Sequence, residues 1–313
     1  MIKLKKIALL IVSIITGCLF LYSAYTKVIP IQLFEYTIVD YLPLTWVTAA
    51  FVARIFIGLE AALGLLIILK FYGKNKWILK TAFGLITLFS IYLFYLLATV
   101  GNNVNCGCFG DSVKMTPIEA LIKNGFLLIS LFLLIKYSNL WLQKWAKLIV
   151  PDLLFIVLLL PFILFGFPDN QPDWLRNKKY QINISEISYY QSQQQPNQLL
   201  KPTEGKYIVA FLSPGCPHCK MAAYKMHLMH KKNPKLPFYF IIGGTKSDLS
   251  EFWNKSKAND IPYSRMERDE FINITHGSFP LIVFINKGWV VATAEYANLD
   301  QQIIEEWLQK TTD

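Results

Sequence analysis

The sequence predicts a multidomain protein in which an α-helical membrane bundle is followed by a smaller α/β domain. Hydrophobic residues make up 54% of the 313 residues, and the mean hydropathy is +0.36. Nearly all of the long apolar sequence lies before about residue 168, and short apolar strands alternate with helical segments after it. This uneven distribution is typical of membrane helices joined to a water-soluble domain.

Five apolar runs are long enough to cross a bilayer, at roughly 7–28, 47–69, 81–100, 118–136 and 148–167. A helix needs about 20 apolar residues to cross a hydrocarbon core of about 30 Å. In the first run, Ile15-Thr-Gly-Cys18 resembles a bacterial lipoprotein cleavage site, after which Cys18 would carry lipid. We favour an uncleaved span with Cys18 packed as a small apolar residue, because the apolar run continues past it.

The charges between the runs predict the orientation. Lysines precede the first run and occupy the segments between the second and third runs and between the fourth and fifth, without any Asp or Glu. Because positively charged loops stay in the cytoplasm, we predict a bacterial inner-membrane protein with a cytoplasmic N-terminus and an extracytoplasmic C-terminal domain. The net charge of +10 then mostly reflects topology, and no nucleic-acid partner is expected.

Cys216-Pro-His-Cys219 begins a helical segment directly after an apolar strand. Two cysteines one helical turn apart can open and close a disulfide, and the helix N-terminus and His218 both favour a thiolate on Cys216. A stabilised thiolate makes the disulfide a stronger oxidant. The alternatives are a structural disulfide or half of a zinc site, which needs two more ligands. We expect no metal, because His227 and His230 on the following helix are poorly placed to join Cys216.

The C-terminal segments predict strand, helix, strand, helix, a two-stranded hairpin and a last helix. In order, they are Tyr207–Leu212, Cys216 to about Lys231, Pro237–Ile242, Ser247–Ala258, Leu281–Ile285, Val290–Thr293 and Asp300–Leu308. This order, with the cysteine pair at the start of the first helix, resembles the thioredoxin fold. The resemblance implies that Pro280 is the cis-proline beside the active site, and that the backbone at Phe279 pairs with substrate.

The Pro217-His218 dipeptide resembles that of the DsbA-type oxidases. Gly215 stands where thioredoxins usually have a tryptophan, and Ala210 stands where they keep a buried aspartate. The missing acid argues against a general cytosolic-type reductase. His276 lies close to the predicted cis-proline loop, where a role near the active site stays open beside that of an ordinary surface residue.

A second cysteine pair lies between the third and fourth apolar runs, in Asn105-Cys106-Gly-Cys108-Phe-Gly110. Cysteines at i and i+2 cannot share a regular helix face, so they require an irregular loop. Gly107 lets this loop close into a small, strained disulfide ring that is easily reduced. We expect both sulfurs at the outer surface, within reach of the tethered Cys216 pair. The alternative is a structural crosslink or two unrelated thiols.

The cysteine loop, Phe20–Lys27, Gly58-Leu-Glu60 and Gly64 together resemble the DoxX/MauE superfamily. The resemblance implies a four-helix membrane domain over residues 1–140, a fifth transmembrane helix and linker over 141–177, and the thioredoxin-like domain over 178–313. MauE-like proteins are implied in disulfide formation, and related four-helix proteins in the manner of DsbB and vitamin K epoxide reductase pass thiol electrons to a quinone. A quinone is therefore the expected acceptor, and no covalently bound cofactor is expected.

Two charged residues lie inside the second apolar run, where a charge is costly and indicates a function. Arg54 and Glu60 are six residues apart and point to different faces of a helix, so they cannot neutralise each other. Glu60 either pairs with a residue on another helix or handles the protons released by thiol oxidation.

These observations predict a membrane-bound thiol–disulfide oxidoreductase. Its client proteins would be extracytoplasmic and contain cysteines, and electrons would pass from Cys216 and Cys219 to Cys106 and Cys108 and then to a membrane acceptor. One alternative is the reverse flow, which usually needs a cysteine pair reachable from the cytoplasm. Cys18 is the one cysteine of the membrane half outside the loop. The other alternative is an assembly factor without enzymatic activity.

Overall fold

The computed structural model describes residues 2–72, 74–107, 115–138, 143–168, 180–181, 205–243 and 249–310. The chain divides into two compact units, Met1–Pro168 and Asp169–Asp313. The first unit is helical and the second is built on a β-sheet, so the predicted order of an α-helical and an α/β part is confirmed.

Six α-helices and one short 3₁₀ helix, Lys74–Lys76, form the described part of the first unit. The α-helices are α1 Ile2–Val28, α2 Ile31–Tyr41, α3 Trp46–Ile68, α4 Trp77–Thr99, α5 Pro117–Tyr137 and α6 Gln143–Phe165. Four of them, α1, α3, α4 and α5, are long and apolar enough to cross a membrane, which confirms four of the five predicted spans. The apolar part of α6, Ile149–Phe165, is shorter, so a fifth crossing stays a prediction.

Helix α2 was not predicted from the sequence. It is only 11 residues long and includes Glu35 and Asp40, so it lacks the apolar length that marks a span. It is buried in the unit through Ile31, Phe34, Tyr36, Ile38 and Val39. The segment between the first two spans is therefore a packed helix and part of the bundle core.

Glycines allow close contacts between helices of the bundle. A Cβ atom on Gly17 of α1 would lie 2.6 Å from the carbonyl oxygen of Gly64 in α3, and one on Gly58 would lie 2.9 Å from the backbone of Leu158 in α6. Small residues at such crossings let helix backbones approach without a gap. Gly64 and Gly58 of α3, both noted in the sequence, thus allow the backbones of α1 and α6 to come close to α3.

The second unit is a six-stranded sheet with four described helices. Its strands are β1 Tyr180–Gln181, β2 Lys206–Leu212, β3 Phe238–Gly243, β4 Tyr263–Met266, β5 Leu281–Asn286 and β6 Trp289–Ala294. Their order across the sheet is β1-β6-β5-β2-β3-β4. Strand β2 runs parallel to β3 and β3 parallel to β4, whereas β5 is antiparallel to β2 and β6. This is a thioredoxin-like sheet.

The helices of this unit are α7 Pro217–Lys232, α8 Leu249–Ser256, α9 Arg268–Thr275 and α10 Gln301–Gln309. Strand β4 and helix α9 were not predicted. Strand β4 has four residues that alternate between half-buried and buried positions, and Phe271 is the one fully buried apolar residue of α9, so neither has a strong periodic pattern. Phe271 packs in the sheet core with Val209, Phe211 and Ile241.

Candidate functional site

Cys216 lies at the end of β2, where the chain turns into α7. It is the residue that caps α7, and its Sγ accepts a hydrogen bond from the backbone N–H of Cys219 at 3.3 Å. Pro217 occupies the first helical turn, where its missing N–H leaves no bond unmade. The Cys216 side chain is partly exposed, and both cysteines are free thiols. The positive end of the helix therefore faces an accessible sulfur.

Cys219, one turn into α7, is completely buried. Burial raises the pKa of the Cys219 thiol far above its ordinary value, and a negative charge on Cys216 raises that pKa further. Cys219 therefore stays protonated over the physiological range, while Cys216 is the sulfur that a partner can reach. The pair thus has two chemically different members, an accessible one and a protected one.

Alkylation should separate the two thiols. A raised pKa means a smaller thiolate fraction at any given pH, and the thiolate is the reactive form. We expect iodoacetamide to modify Cys219 at least about tenfold more slowly than Cys216, and the Cys219 rate to rise with every step between about pH 7 and pH 9. Mass spectrometry of quenched samples measures both rates. Unfolding in urea should equalise them, and equal rates in the folded protein would contradict the assignment.

The peptide bond between Phe279 and Pro280 is cis, as the resemblance implied. The carbonyl oxygen of Phe279 lies 4.0 Å from Sγ of Cys216, within reach of a hydrogen bond donated by the thiol. The Phe279 side chain is partly exposed and rests against the ring of Phe271, with 5.8 Å between the ring centroids. The start of β5 therefore presents a backbone carbonyl and an apolar side chain beside the reactive sulfur.

His218 has a partner that the sequence did not reveal. Its Nδ1 forms a hydrogen bond with the hydroxyl of Tyr296 at 3.0 Å. Burial raises the pKa of Tyr296, and the negative charges of Cys216 and Glu295 raise it further, so the hydroxyl stays protonated beside the thiol. No local pattern could have indicated this contact, because the two residues are 78 positions apart.

Lys225 fixes the segment that carries Tyr296. It is buried in α7, and its Nζ donates hydrogen bonds of 2.9 Å to the carbonyl oxygens of Tyr296 and Ala297. A buried ammonium group must be hydrogen-bonded to be tolerated, so these contacts are costly to break. Helix α7 therefore holds in place both the histidine and the tyrosine that contacts it.

Replacing Tyr296 by Phe should lower the reduction potential of the Cys216–Cys219 disulfide. The change removes one hydrogen bond worth about 1 kcal/mol and frees His218, which then supports the Cys216 thiolate less well. For a two-electron couple this corresponds to about 20 mV. Equilibration of the full chain with glutathione buffers, followed by alkylation, measures the potential. Tyr263→Phe in β4 is the matched control, and an unchanged potential in Tyr296→Phe would contradict a positioning role.

Two further histidines have other surroundings in the structure. His227 pairs through Nδ1 with the carboxylate of Asp260 at 3.0 Å, and His276 ends helix α9 in a left-handed conformation with φ of 50°. Among the described residues, no group of three His, Cys, Asp or Glu side chains is arranged to hold a metal ion.

In the membrane unit, Cys106 lies in the loop between α4 and α5. It is buried against Leu93, Leu96 and Ala120, and its backbone N–H donates to the carbonyl oxygen of Met115 at 3.0 Å. Gly107 follows with φ of 69°, and a Cβ atom there would lie 2.6 Å from Thr37 of α2. Glycine is therefore required at this position, because the backbone conformation is left-handed and no space remains for a side chain. Cys108, the second predicted cysteine of this pair, lies outside the described residues.

The charged residues of α3 both pair with other helices. Both carboxylate oxygens of Glu60 accept hydrogen bonds from Nζ of Lys27 in α1, at 2.7 and 2.9 Å, and both side chains are buried. Arg54 contacts the carboxylate of Glu35 in α2 at 2.6 Å and the carbonyl oxygen of Gly166 at 3.0 Å. Arg54, whose charge inside the apolar run indicated a function, thus ties α3 to α2 and to the end of α6.

The comparisons with known proteins concern the two units separately. Residues 5–137 match the family described as methylamine utilisation protein MauE. The N-terminal part of the chain is therefore similar to MauE, and the C-terminal unit has a thioredoxin-like sheet. The match is to MauE, and the DoxX part of the predicted resemblance stays a prediction. A curated relative, Protein TlpB of Flavobacterium psychrophilum, is 27% identical over 310 residues, covering 84% of this chain and 83% of that protein.

Solved structures resemble the C-terminal part. The thioredoxin domain of the thiol-disulfide oxidoreductase BVU-2223 from Bacteroides vulgatus is 14% identical, with a TM-score of 0.30, over 34% of this chain and 82% of that one. A secreted Mycobacterium tuberculosis disulfide oxidoreductase homologous to E. coli DsbE is 19% identical, with a TM-score of 0.26, over 33% and 80%. The fold assignment rests on the sheet order and the cis-proline rather than on these scores.

Proposed function

We propose that this membrane protein forms disulfide bonds in extracytoplasmic client proteins. The proposal rests on the difference between two cysteines that lie one helical turn apart. Cys216 is accessible at the start of α7, and Cys219 is buried with a raised pKa. Disulfide exchange needs one sulfur that a client can attack and a second that is protected from it.

The first half-reaction takes electrons from the client. A client thiolate attacks Sγ of Cys216, the Cys216–Cys219 bond breaks, and Cys219 leaves and takes up a proton. A second client thiolate then attacks the client sulfur of the mixed disulfide and releases Cys216 as a thiolate, which the helix N-terminus stabilises. One client dithiol becomes a disulfide, and one disulfide of this chain becomes a dithiol.

The surroundings of Cys216 suit an extended client segment. The Phe279 carbonyl next to Sγ can accept a hydrogen bond from a client backbone, and the exposed Phe279 ring offers an apolar contact. Ala210, at the position where the fold family keeps an acid, is fully buried in β2. The chain therefore lacks, at this position, the acid that serves as a base for the second cysteine in thioredoxins, which argues against a general reductase.

The second half-reaction returns the pair to its oxidised state. The dithiol of Cys216 and Cys219 reduces a disulfide between Cys106 and Cys108, and that second dithiol passes its two electrons and two protons to a quinone of the bilayer. A quinone supplies a lipid-soluble acceptor for both. The lysine distribution favours an extracytoplasmic position for both pairs, and the tether keeps their effective concentration high.

The test is a single-turnover assay with the full chain in detergent. Pre-oxidised protein is mixed with reduced, unfolded ribonuclease, and disulfides are counted after alkylation. We expect ribonuclease disulfides to form as Cys216 and Cys219 become reduced, and Cys219→Ser, which cannot hold the Cys216–Cys219 disulfide, to leave ribonuclease reduced. If the oxidised protein leaves ribonuclease reduced, and its reduced form instead cleaves disulfides of native ribonuclease, the chain is a reductase and the proposal is wrong.

A further inference from the structure

The end of α6 is held against the bundle by one side chain of α3. The Arg54 guanidinium donates from Nε to the carbonyl oxygen of Gly166 at 3.0 Å and from Nη2 to that of Phe165 at 3.3 Å. The last carbonyl groups of a helix have no partner inside that helix, so a donor from elsewhere must satisfy them when water is absent. Arg54 therefore binds the last turn of α6 to α3.

Glu35 of α2 fixes the guanidinium itself. Nη1 of Arg54 donates to Oε1 of Glu35 at 2.6 Å and to the carbonyl oxygen of Ala50 at 2.8 Å. The side chains of Arg54 and Glu35 are 8% and 14% exposed, so removal of either partner leaves a mostly buried charge without its counter-charge. We call Glu35, Arg54 and the carbonyl groups of Phe165 and Gly166 the α6 latch.

The residues around this latch fix the place where the chain leaves the membrane unit. Gly166 ends α6 in the left-handed conformation, with φ of 71°. The ring of Phe162 in α6 contacts that of Phe51 in α3, with 5.1 Å between the centroids, and Phe167 lies 5.3 Å from Phe162. The first residues after α6 thus stay in contact with the bundle instead of leaving it directly.

Helix α2 contacts both the α6 latch and the cysteine loop. Glu35 belongs to the latch, and Thr37, about 3 Å further along the helix axis, packs against Gly107 beside Cys106. One short helix therefore separates the place where the chain leaves the membrane unit from Cys106. Residues 169–179 lead from this place to β1 of the second unit.

We infer that Arg54 and Glu35 are positioning residues, which raise the rate of disulfide exchange between the two cysteine pairs. This inference rests on the proposed function. The rate of exchange between tethered groups depends on their effective concentration, which falls when the tether begins farther from its target or at a less defined place. The latch makes the tether begin beside α2 and the Cys106 loop. Without the latch, the end of α6 is free to move away from both.

The exchange itself needs no further reactant. The dithiol of Cys216 and Cys219 becomes a disulfide while the disulfide of Cys106 and Cys108 becomes a dithiol. One S–S bond forms and one breaks, and two electrons and two protons pass from the first pair to the second. A positioning residue changes how often the two pairs meet and leaves the reactivity of each pair unchanged, which separates its effect from that of a catalytic residue.

The test follows the exchange in the full chain in nanodiscs. Oxidised protein is mixed with reduced, unfolded ribonuclease, quenched in acid at intervals and alkylated, and the thiols of each pair are counted by mass spectrometry. We expect Arg54→Met to slow the appearance of thiols at Cys106 and Cys108 at least about fivefold, and to leave the reduction of the Cys216 pair by ribonuclease unchanged. Exchange at the wild-type rate in Arg54→Met would overturn the inference.

A double variant and a second reaction separate positioning from damage to the bundle. Arg54→Met combined with Glu35→Leu removes both charges, so it should recover most of the stability that the single variant loses and none of the lost exchange rate. Dithiothreitol reduces the Cys106 loop without using the tether, and its rate, measured with Cys216 and Cys219 replaced by serine, should be equal in all variants. Wild-type exchange in the double variant would overturn the inference, as would reduction by dithiothreitol that slows by the same factor as the exchange.

Lys76→Met is the matched control at the other end of the bundle. Nζ of Lys76 donates to the carbonyl oxygen of Ile135 in the last turn of α5 at 2.5 Å, so this variant also removes a cation from the end of a helix. Because Lys76 is remote from the place where the tether begins, we expect exchange at the wild-type rate. Equal slowing in Lys76→Met and Arg54→Met would overturn the inference.

The failures of the two proposals are distinguishable. If the wild type gains no thiols at Cys106 and Cys108 while its Cys216 pair is reduced, the proposed function is wrong and the inference falls with it. If the wild type transfers electrons to the loop and both latch variants do so equally fast, the inference is wrong and the proposed function stands.

Discussion

Replacing Cys216 by serine is expected to reduce disulfide formation in client proteins to the background rate. Cys216 is the accessible member of the pair and carries the sulfur that a client attacks, whereas Cys219 is buried. A hydroxyl group can neither form the disulfide nor leave as a stable anion at neutral pH. Neither Cys219 nor another cysteine can take over, because no second accessible sulfur lies at the start of α7. The measurement is ribonuclease oxidation by the full chain over several turnovers.

Cys18→Ser is the matched control for this prediction. It makes the same chemical change at an exposed cysteine of α1, far along the chain from both cysteine pairs. We expect its activity to equal that of the wild type. Turnover that survives in Cys216→Ser would contradict the assignment and favour an assembly factor without enzymatic activity. Loss of turnover in Cys18→Ser would favour one of two alternatives, the reverse electron flow or a Cys18 that carries lipid.

The second large effect is expected at the ion pair between α1 and α3. Lys27→Met leaves the buried carboxylate of Glu60 without the ammonium group that contacts both of its oxygens at 2.7 and 2.9 Å. Breaking a buried pair from one side costs about 3–5 kcal/mol, because the remaining charge is left in an apolar environment. We therefore expect a large loss in the free energy of unfolding of the membrane unit in detergent.

Two further variants make this prediction specific. The double variant Lys27→Met and Glu60→Leu removes both charges, and we expect it to recover most of the lost stability. Lys255→Met breaks an exposed pair with Glu251, where solvent screens the charges, and should leave the stability of its own unit nearly unchanged. A single Lys27→Met variant as stable as the wild type would show that the pair contributes little to the bundle.

The parts of the fold that were predicted are those with a strong one-dimensional signal. The four spans each have a long apolar run, and their ends at Val28, Ile68, Thr99 and Tyr137 fall close to the predicted ones. Strand β2 and helix α7 were equally clear, because an apolar strand leads directly into the cysteine pair. Helix α2, strand β4 and helix α9 are short, and tertiary packing rather than length or periodicity stabilises them.

The residues of the site that belong to local sequence motifs were predicted. The two cysteines, Pro217 and the cis-proline are each visible in a local motif. The partners of His218 and Glu60 were not, since Tyr296 and Lys27 come together with them only in the folded units. The one feature of the sequence that could have indicated a role for Lys27 is its position as a lysine at the end of an apolar run. A contact between residues that are 30 or more positions apart in the sequence cannot be predicted from local spacing or composition.

The redox state of Cys216 and Cys219 in cells, with and without Cys106, tests most directly whether electrons pass between the two cysteine pairs. Cells that express the full chain or Cys106→Ser are quenched in acid, alkylated and analysed for thiols at the pair. We expect the pair to be mostly oxidised in the wild type and to accumulate in the reduced form in Cys106→Ser, because the loop can no longer reoxidise it. A pair that is unchanged would contradict communication between the two sites, and a more oxidised pair would mean that electrons flow outward.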